Sequence, residues 1–491
     1  MKLNIICILY IIGVVLCEQQ QLQNPQCLKY ISNDGSGSII CGDNKNPCIS
    51  IKSAINSCTS QNLTSNMFIR FLDSEYLLNS NDRFTLTEDT ELTLEGSNGT
   101  VLNLKNLDGP FIKVNQKSVN IDIRDLTLAK MEKSGLIYIF VRNDDVEISM
   151  TNVNVLESFL QNIDMNLFTF NSTFNSRPIK LNIQSSNFNN NTCVKNLYST
   201  TDSTSMFSLG NVEAVFKNTT FEFNSGYRSI IKIIGNSLSV FNSTFLSNEG
   251  PLSYGTMPAC ITHGNSQLTV DNVEFNGHFN YYFIYNIDRS PLICVGLIQN
   301  SRFLNNNSPN QGKMMSLQYC NWTLTNNLFS NNNLNEIIYN YQSVSMLISN
   351  STFTENKGTT IIEFLYGPVT LSNIVITGNI NYELMECSSN VTLDNVVSTN
   401  NNYGPLGEVV CSYGCNINNL DLNRLWTCTT DYSATTEPPA TDDSNLGKGI
   451  AILVIILICA GVSLFLIILS IGIYCFIRSE KRKKYQSINN I

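Results

Sequence analysis

Histidine is almost missing from this chain: His263 and His278 are the only two in 491 residues. Two isolated imidazoles exclude a zinc centre of the usual Cys/His spacing and leave no pair for general acid–base work. His278 falls at a repeated turn position and is expected at the surface. Basic charge is also scarce, with 30 Lys and Arg against 39 Asp and Glu. Six of those basic residues, and only one acidic residue (Glu480), lie in the two ends; the remainder carries 24 against 38. That acidity excludes nucleic acid and anionic lipid as direct partners of the large central part. A helical period is missing from the middle as well, which excludes a helix bundle.

Long apolar runs are confined to the ends. After Lys2, residues Ile5 to Cys17 carry no charge. One basic residue before a short apolar run is the layout of a signal peptide, and the run is too short to span a bilayer. Gly449 to Ile477 is a second uncharged run, 29 residues long, followed by Arg478, Lys481, Arg482, Lys483 and Lys484. This run is long enough to span ~30 Å of hydrocarbon, and the basic flank belongs inside. The expectation is a single-pass type I membrane protein that contacts the lipid bilayer through one C-terminal transmembrane α-helix.

Ten Asn-x-Ser/Thr sequons suit an outside, glycosylated location: Asn62, Asn98, Asn171, Asn190, Asn218, Asn242, Asn306, Asn321, Asn350 and Asn390. Twelve cysteines remain outside the two apolar runs, an even number that an oxidising compartment lets pair. They are Cys27, Cys41, Cys48, Cys58, Cys193, Cys260, Cys294, Cys320, Cys387, Cys411, Cys415 and Cys428. Their connectivity is not legible from spacing.

The middle repeats. A polar residue, an apolar one three further on, and Asn after three more recur as Asn218/Phe221/Asn224, Asn242/Phe245/Asn248, Asn300/Phe303/Asn306, Asn326/Phe329/Asn332 and Asn350/Phe353/Asn356. Looser copies are Ser185/Phe188/Asn191, Asn272/Phe275/His278, Asn373/Ile376/Asn379 and Asn395/Ser398/Asn401. From Asn218 onward the first positions lie 24, 30, 28, 26, 24, 23 and 22 residues apart. An alternating strand precedes each motif (Ser237 to Val240, Ser343 to Met346), and a more apolar strand follows (Ser229 to Ile234, Thr360 to Phe364). Three short strands per unit close one turn of a coil, and turns stacked ~4.8 Å apart make three parallel sheets around a narrow core. Phe188, Phe221, Phe245, Phe275, Phe303, Phe329 and Phe353 are expected to stack as its ladder. Asn at the bends tolerates left-handed backbone angles. Residues 66–410 would supply about 13 coils at that spacing.

These units resemble the right-handed parallel β-helix of the pectin-lyase-like superfamily. The Phe-x-x-Asn element is similar to the repeat of the polymorphic outer-membrane proteins, a family of surface adhesins. Their Gly-Gly-Ala-Ile element and their membrane barrel are missing here. The segment Tyr30 to Ser38, with Cys41-Gly-Asp43, Pro47-Cys48 and Ile51 to Ile55, also resembles such proteins. The fold implied is all-β, a right-handed parallel β-helix solenoid. Its exposed ends need covers. Ile51, Ala54, Ile55 and Cys58 on one helical face make a suitable lid. The expected order is a signal peptide (1–17), a cysteine-rich cap (18–65), the β-helix (66–410), a second cap (411–428), a Thr/Pro-rich stalk (429–448), the membrane helix (449–477) and a cytoplasmic tail (478–491).

Polysaccharide-cleaving enzymes on this scaffold use clustered Asp with His, Arg or Lys. The chain has His263-Gly264 without a preceding Gly, lacks Arg-Ile-Lys, and pairs Asp only at Asp144-Asp145 and Asp442-Asp443. Asp144-Asp145 reads as a solvated turn. No catalytic, cofactor-binding or metal site is therefore assigned. The expected function is recognition or adhesion by a cell-surface glycoprotein, with an extracellular glycan or protein as ligand. The alternatives are a membrane-tethered polysaccharide lyase or hydrolase, and an endolysosomal membrane glycoprotein. In the tail, Tyr485 and Ile488 match the Tyr-x-x-apolar sorting signal that adds a strand to a clathrin adaptor. The protein is thus expected at the plasma membrane, with endosomal or lysosomal membranes as the alternative. Cys475 is a palmitoylation candidate.

Overall fold

The structure is a computed structural model that describes residues 26–430, apart from 87, 162–165, 174–175, 194–203, 252–257, 280, 287–293, 405–407, 412–413, 421–425 and 428. The signal peptide, stalk, membrane run and tail, with Cys475, Tyr485 and Ile488, lie outside the described residues. Among the described residues no helix is long and apolar enough to cross a membrane.

The chain winds into a parallel β-solenoid of about 12 turns, one fewer than the unit count suggests. Every inter-strand pairing within it is parallel, and each strand pairs with its counterpart one coil away. The first sheet runs through Asn66–Phe71, Val146–Thr151, Ile179–Gln184, Val295–Gln299, Asn321–Thr325 and Ser345–Ser349. The second sheet holds the motif strands Asn187–Asn189, Thr220–Glu222, Thr244–Leu246, Glu274–Asn276, Arg302–Leu304, Leu328–Ser330 and Thr352–Thr354. The third runs from Phe84–Leu86 and Ile112–Asn115 through Ile137–Val141 to Asn333–Tyr341 and Lys357–Leu365.

The corners follow from residue type. Asn152, Asn218, Asn242, Asn272, Asn300, Asn326, Asn350, Asn373 and Asn395 all hold φ between 48° and 54° or 56°, the left-handed region, between the first two sheets. Asn reaches that region at less cost than other non-glycine residues because its short side chain bonds locally. The Phe six-membered rings then stack in register. Successive centroids from Phe188 to Phe353 are 5.2, 4.6, 4.8, 5.0, 4.8 and 4.6 Å apart, and each ring is 0% exposed. Tyr76, Leu102, Leu128 and Val155 extend the column toward the N-terminus, and Ile376 extends it the other way.

A second column binds the coils by hydrogen bonds. Asn191, Asn224 and Asn248 are fully buried, and each Nδ2 donates to the Phe-column carbonyl of the coil before it. The amides also link to one another: Asn191 to Asn224 at 3.0 Å, Asn306 to Asn332 at 2.8 Å, Asn332 to Asn356 at 2.9 Å and Asn356 to Asn379 at 3.0 Å. Such a network satisfies polar groups that would otherwise be stranded in the core. His278 belongs to this column. It is 2% exposed rather than at the surface, because its imidazole fills an amide's place. Nδ1 lies 3.2 Å from the Asn248 N–H, and Nε2 lies 3.0 Å from the Phe245 carbonyl oxygen.

The lid is the helix Ile51–Ser60, started by a Ser50/Ser53 capping box. Ile51, Ala54 and Cys58 bury their side chains completely, and Ile55 packs at the margin. Cys27–Cys58 and Cys41–Cys48 staple it. Cys294–Cys320 joins neighbouring coils, Cys387–Cys415 ties the last ones, and Cys411 is also disulfide-bonded. Cys428 lies outside the described residues. Cys193 and Cys260 are both buried. Cys260 departs from the expected complete pairing, and register explains this: it stacks between Ile230 and Phe283, so no cysteine stands opposite it.

Candidate functional site

Polar side chains line a groove on the outer surface. Where the third sheet turns into the first, four consecutive coils present Asp89–Glu91, Ser118–Asn120, Asp145–Glu147 and Arg177–Lys180 around a groove of about 590 Å³. Val119 and Val146 form its buried floor. Register places Glu91, Asn120, Glu147 and Lys180 in one column, one per coil. Alternation sets their direction, since the valine before each of the middle two faces the core.

A hydrogen-bonded rim fixes the turns beside this column. The Ser118 N–H donates to Asp89 Oδ1 at 3.1 Å, and the Asp145 N–H donates to Ser118 Oγ at 3.2 Å. Arg177 Nη1 then donates to both Asp145 oxygens, at 2.7 and 2.5 Å. The Asp145 carboxylate holds the Arg177 guanidinium above its ordinary pKa. Asp144-Asp145 thus sits in a turn, and Asp145 is bound to a cation. An exposed pair of this kind adds little stability and serves to orient two side chains at the groove. The arrangement presents hydrogen-bond donors and acceptors side by side along the groove.

The interior histidines are sealed. His263 is 0% exposed, its ring 5.2 Å edge-on to Trp322, and burial pushes its pKa down to about 3. Burial likewise lowers His278 to about 4, against the opposing pull of its two backbone partners. His263 lies near Cys294 and Cys320, a trio with metal-ligand proximity. Those sulfurs are joined to each other, so neither is a thiolate ligand. The same holds for the cluster of Cys387, Cys411 and Cys415.

The sequons divide by position. Asn62, Asn171, Asn190, Asn218, Asn242, Asn321, Asn350 and Asn390 are exposed. The side chain of Asn98 lies outside the described residues. Asn306 must be withdrawn as a glycan acceptor in the folded protein: it is 2% exposed and bonded into the amide column. At Asn218, Asn242 and Asn350 one short run serves two purposes. The corner Asn is the exposed first residue of the sequon, the next residue enters a buried hydroxyl ladder, and the Phe three positions on enters the core. Ser243 and Ser351 Oγ, for example, each accept a backbone N–H from the preceding coil at 3.1 Å.

Sequence reasoning missed the groove column and Arg177. The signal was present as charged or amide residues directly beside the first core residue of each alternating strand.

No family model matches the chain, and no curated protein matches it. Among solved structures it is similar to tailspike protein 3 of bacteriophage CBA120, with 11% identity and a TM-score of 0.40 over 82% of this chain and 61% of that one. The mannuronan C-5 epimerase AlgE6 A-module of Azotobacter vinelandii gives 13% and 0.34 over 79% and 99%. PfbA, a surface adhesin of Streptococcus pneumoniae, gives 12% and 0.30 over 70% and 86%. The fold of the chain is therefore established by its own strand registers: a parallel β-helix, capped at its N-terminal end by a disulfide-stapled helix.

Proposed function

We propose that the β-helix is a recognition module that binds a glycan along its outer surface and is held at a membrane by residues 449–477. The observation that carries this reading is the groove column Glu91, Asn120, Glu147 and Lys180. It repeats a polar side chain once per coil, at ~4.8 Å, a spacing comparable to a sugar ring. The pinned Asp145–Arg177 rim leaves little ordering to be done on binding, which favours affinity. Glycan-panel binding by the detergent-solubilised full chain tests it. Glu147→Ala and Lys180→Ala are each expected to weaken the strongest panel ligand roughly 10-fold, as truncation of a central contact does. Unchanged binding in both variants, or cleavage of the bound polysaccharide, would overturn the reading.

The sorting reading of the tail rests on Tyr485 and Ile488 alone. Tyr485→Ala is expected to raise the surface level of the full-length protein severalfold by removing the adaptor strand's anchor. Equal surface labelling of parent and variant would count against it.

A further inference from the structure

A second surface, on the third sheet of the C-terminal coils, is built from tyrosine. Tyr339 and Tyr341 lie on one strand with parallel rings 6.4 Å apart. Tyr341 meets Tyr319 edge-on at 6.0 Å on one side and Tyr366 at 5.8 Å on the other. The four rings cover three successive coils, with Tyr366 56% exposed.

The backbone shows that these rings are placed at a cost. Tyr319 and Tyr366 hold φ of 54° and 64°, in the left-handed region. The same corner in earlier coils carries Asn211, Gly235 and Asn265, which adopt it easily. A bulky residue in that conformation is uncommon and marks sites where the side chain is wanted for something else. The same corner is closed by glycine at Gly235 and by Gln342 in the coil between Tyr319 and Tyr366.

Polar groups border the rings. Lys313 Nζ lies 2.9 Å from the Tyr339 ring centre and 3.1 Å from a Glu336 oxygen. Glu363 stands beside Tyr339 in register, and Thr360 donates to Glu383 at 2.7 Å. Partial burial, a hydrogen bond to Glu336 and that neighbour's charge raise the Glu363 pKa to about 8. Glu363 is thus held toward its neutral form at neutral pH. Carboxyl groups that touch cannot flank a glycosidic bond, which requires them ~5 Å or more apart.

We propose that Tyr319, Tyr339, Tyr341 and Tyr366, with Glu336 and Lys313, form a binding platform for neutral pyranose oligosaccharides. Ring faces pack on the apolar C–H faces of sugars, and the carboxyl groups and ammonium meet the hydroxyls. Glu336 and Glu383 outnumber Lys313, so a uronic-acid chain is repelled. The proposal shares the recognition reading above but not its groove.

Calorimetric titration of the detergent-solubilised full chain tests it, with maltohexaose, cellohexaose, mannohexaose and a galacturonate hexamer as probes. At least one neutral hexamer binds, and the galacturonate does not. Tyr339→Ala and Tyr366→Ala each weaken that binding about 10-fold or more, and Tyr339→Phe retains it. The proposal is overturned if no neutral hexamer binds, if the galacturonate binds as tightly, or if both alanine variants bind like the parent. Loss confined to Glu147→Ala would overturn the platform and leave the groove reading standing.

Discussion

Lowering the pH from 7 to 4.5 is expected to remove about 2 kcal/mol of stability through His278 alone. In the unfolded chain an imidazole takes up its proton near pH 6.5. In the fold, His278 stays neutral until about 4, because burial leaves a charge there without water, and that outweighs the pull of its two backbone partners. Between those two values the unfolded state binds more protons, so stability is present above pH 6.5 and lost as pH falls toward 4. His263, lowered to about 3, acts in the same direction. Glu363 acts oppositely: its raised pKa favours the fold at low pH and loses that contribution as pH rises through about 8. The comparison with His278→Asn isolates one contribution. Asn restores the amide that every neighbouring coil carries, and the variant should unfold at a urea midpoint that falls less between pH 7 and 4.5. Parallel pH profiles for parent and variant would refute the assignment.

The amide column predicts a larger effect at one residue. Asn332 donates to Asn356 Oδ1 and the Phe303 carbonyl, both at 2.9 Å, and accepts from Asn306 Nδ2 and N–H at 2.8 and 3.1 Å. Asn332→Leu keeps the volume and removes four buried hydrogen bonds; Asn356 Oδ1 keeps the residue-332 N–H and Asn306 Nδ2 keeps the Phe275 carbonyl, so the Asn306 N–H and the Phe303 carbonyl are the groups stranded. At 1–3 kcal/mol for each stranded group the loss is on the order of 4 kcal/mol. The adjacent Asn331, a left-handed corner at φ 55°, provides the contrast. Asn331→Gly suits that backbone and should cost under ~1 kcal/mol. Denaturant titrations of both variants that agree within 1 kcal/mol would remove the column from its structural role.

The coil was legible because its parts are spaced by geometry that residues cannot evade. The ring column, the left-handed Asn corners and the cysteine-stapled lid each showed as a residue type at a fixed offset. His278 was legible as a position but not as an environment, since imidazole occurs in turns as readily as in hydrogen-bonded interiors. The groove was hidden because its coils hold Leu102, Leu128 and Val155 where later coils hold Phe, so the motif that marks a unit fades there. Parity of the cysteines could not reveal that Cys260 stands between Ile230 and Phe283. The tyrosine platform escaped because unit lengths of 22 to 30 residues scatter its members along the chain.

From corner Asn to amide-column residue the count is always six, as in Asn218 to Asn224, Asn272 to His278 and Asn395 to Asn401. Beyond that point it varies: Asn224 precedes the next strand at Ser229, whereas Asn248 precedes its own at Ala259. One half of each winding is thus a ruler and the other half a sleeve of adjustable length. Epitope tags or foreign loops spliced just after the ruler should be carried without altering its pitch, and new surface chemistry can evolve there one coil at a time.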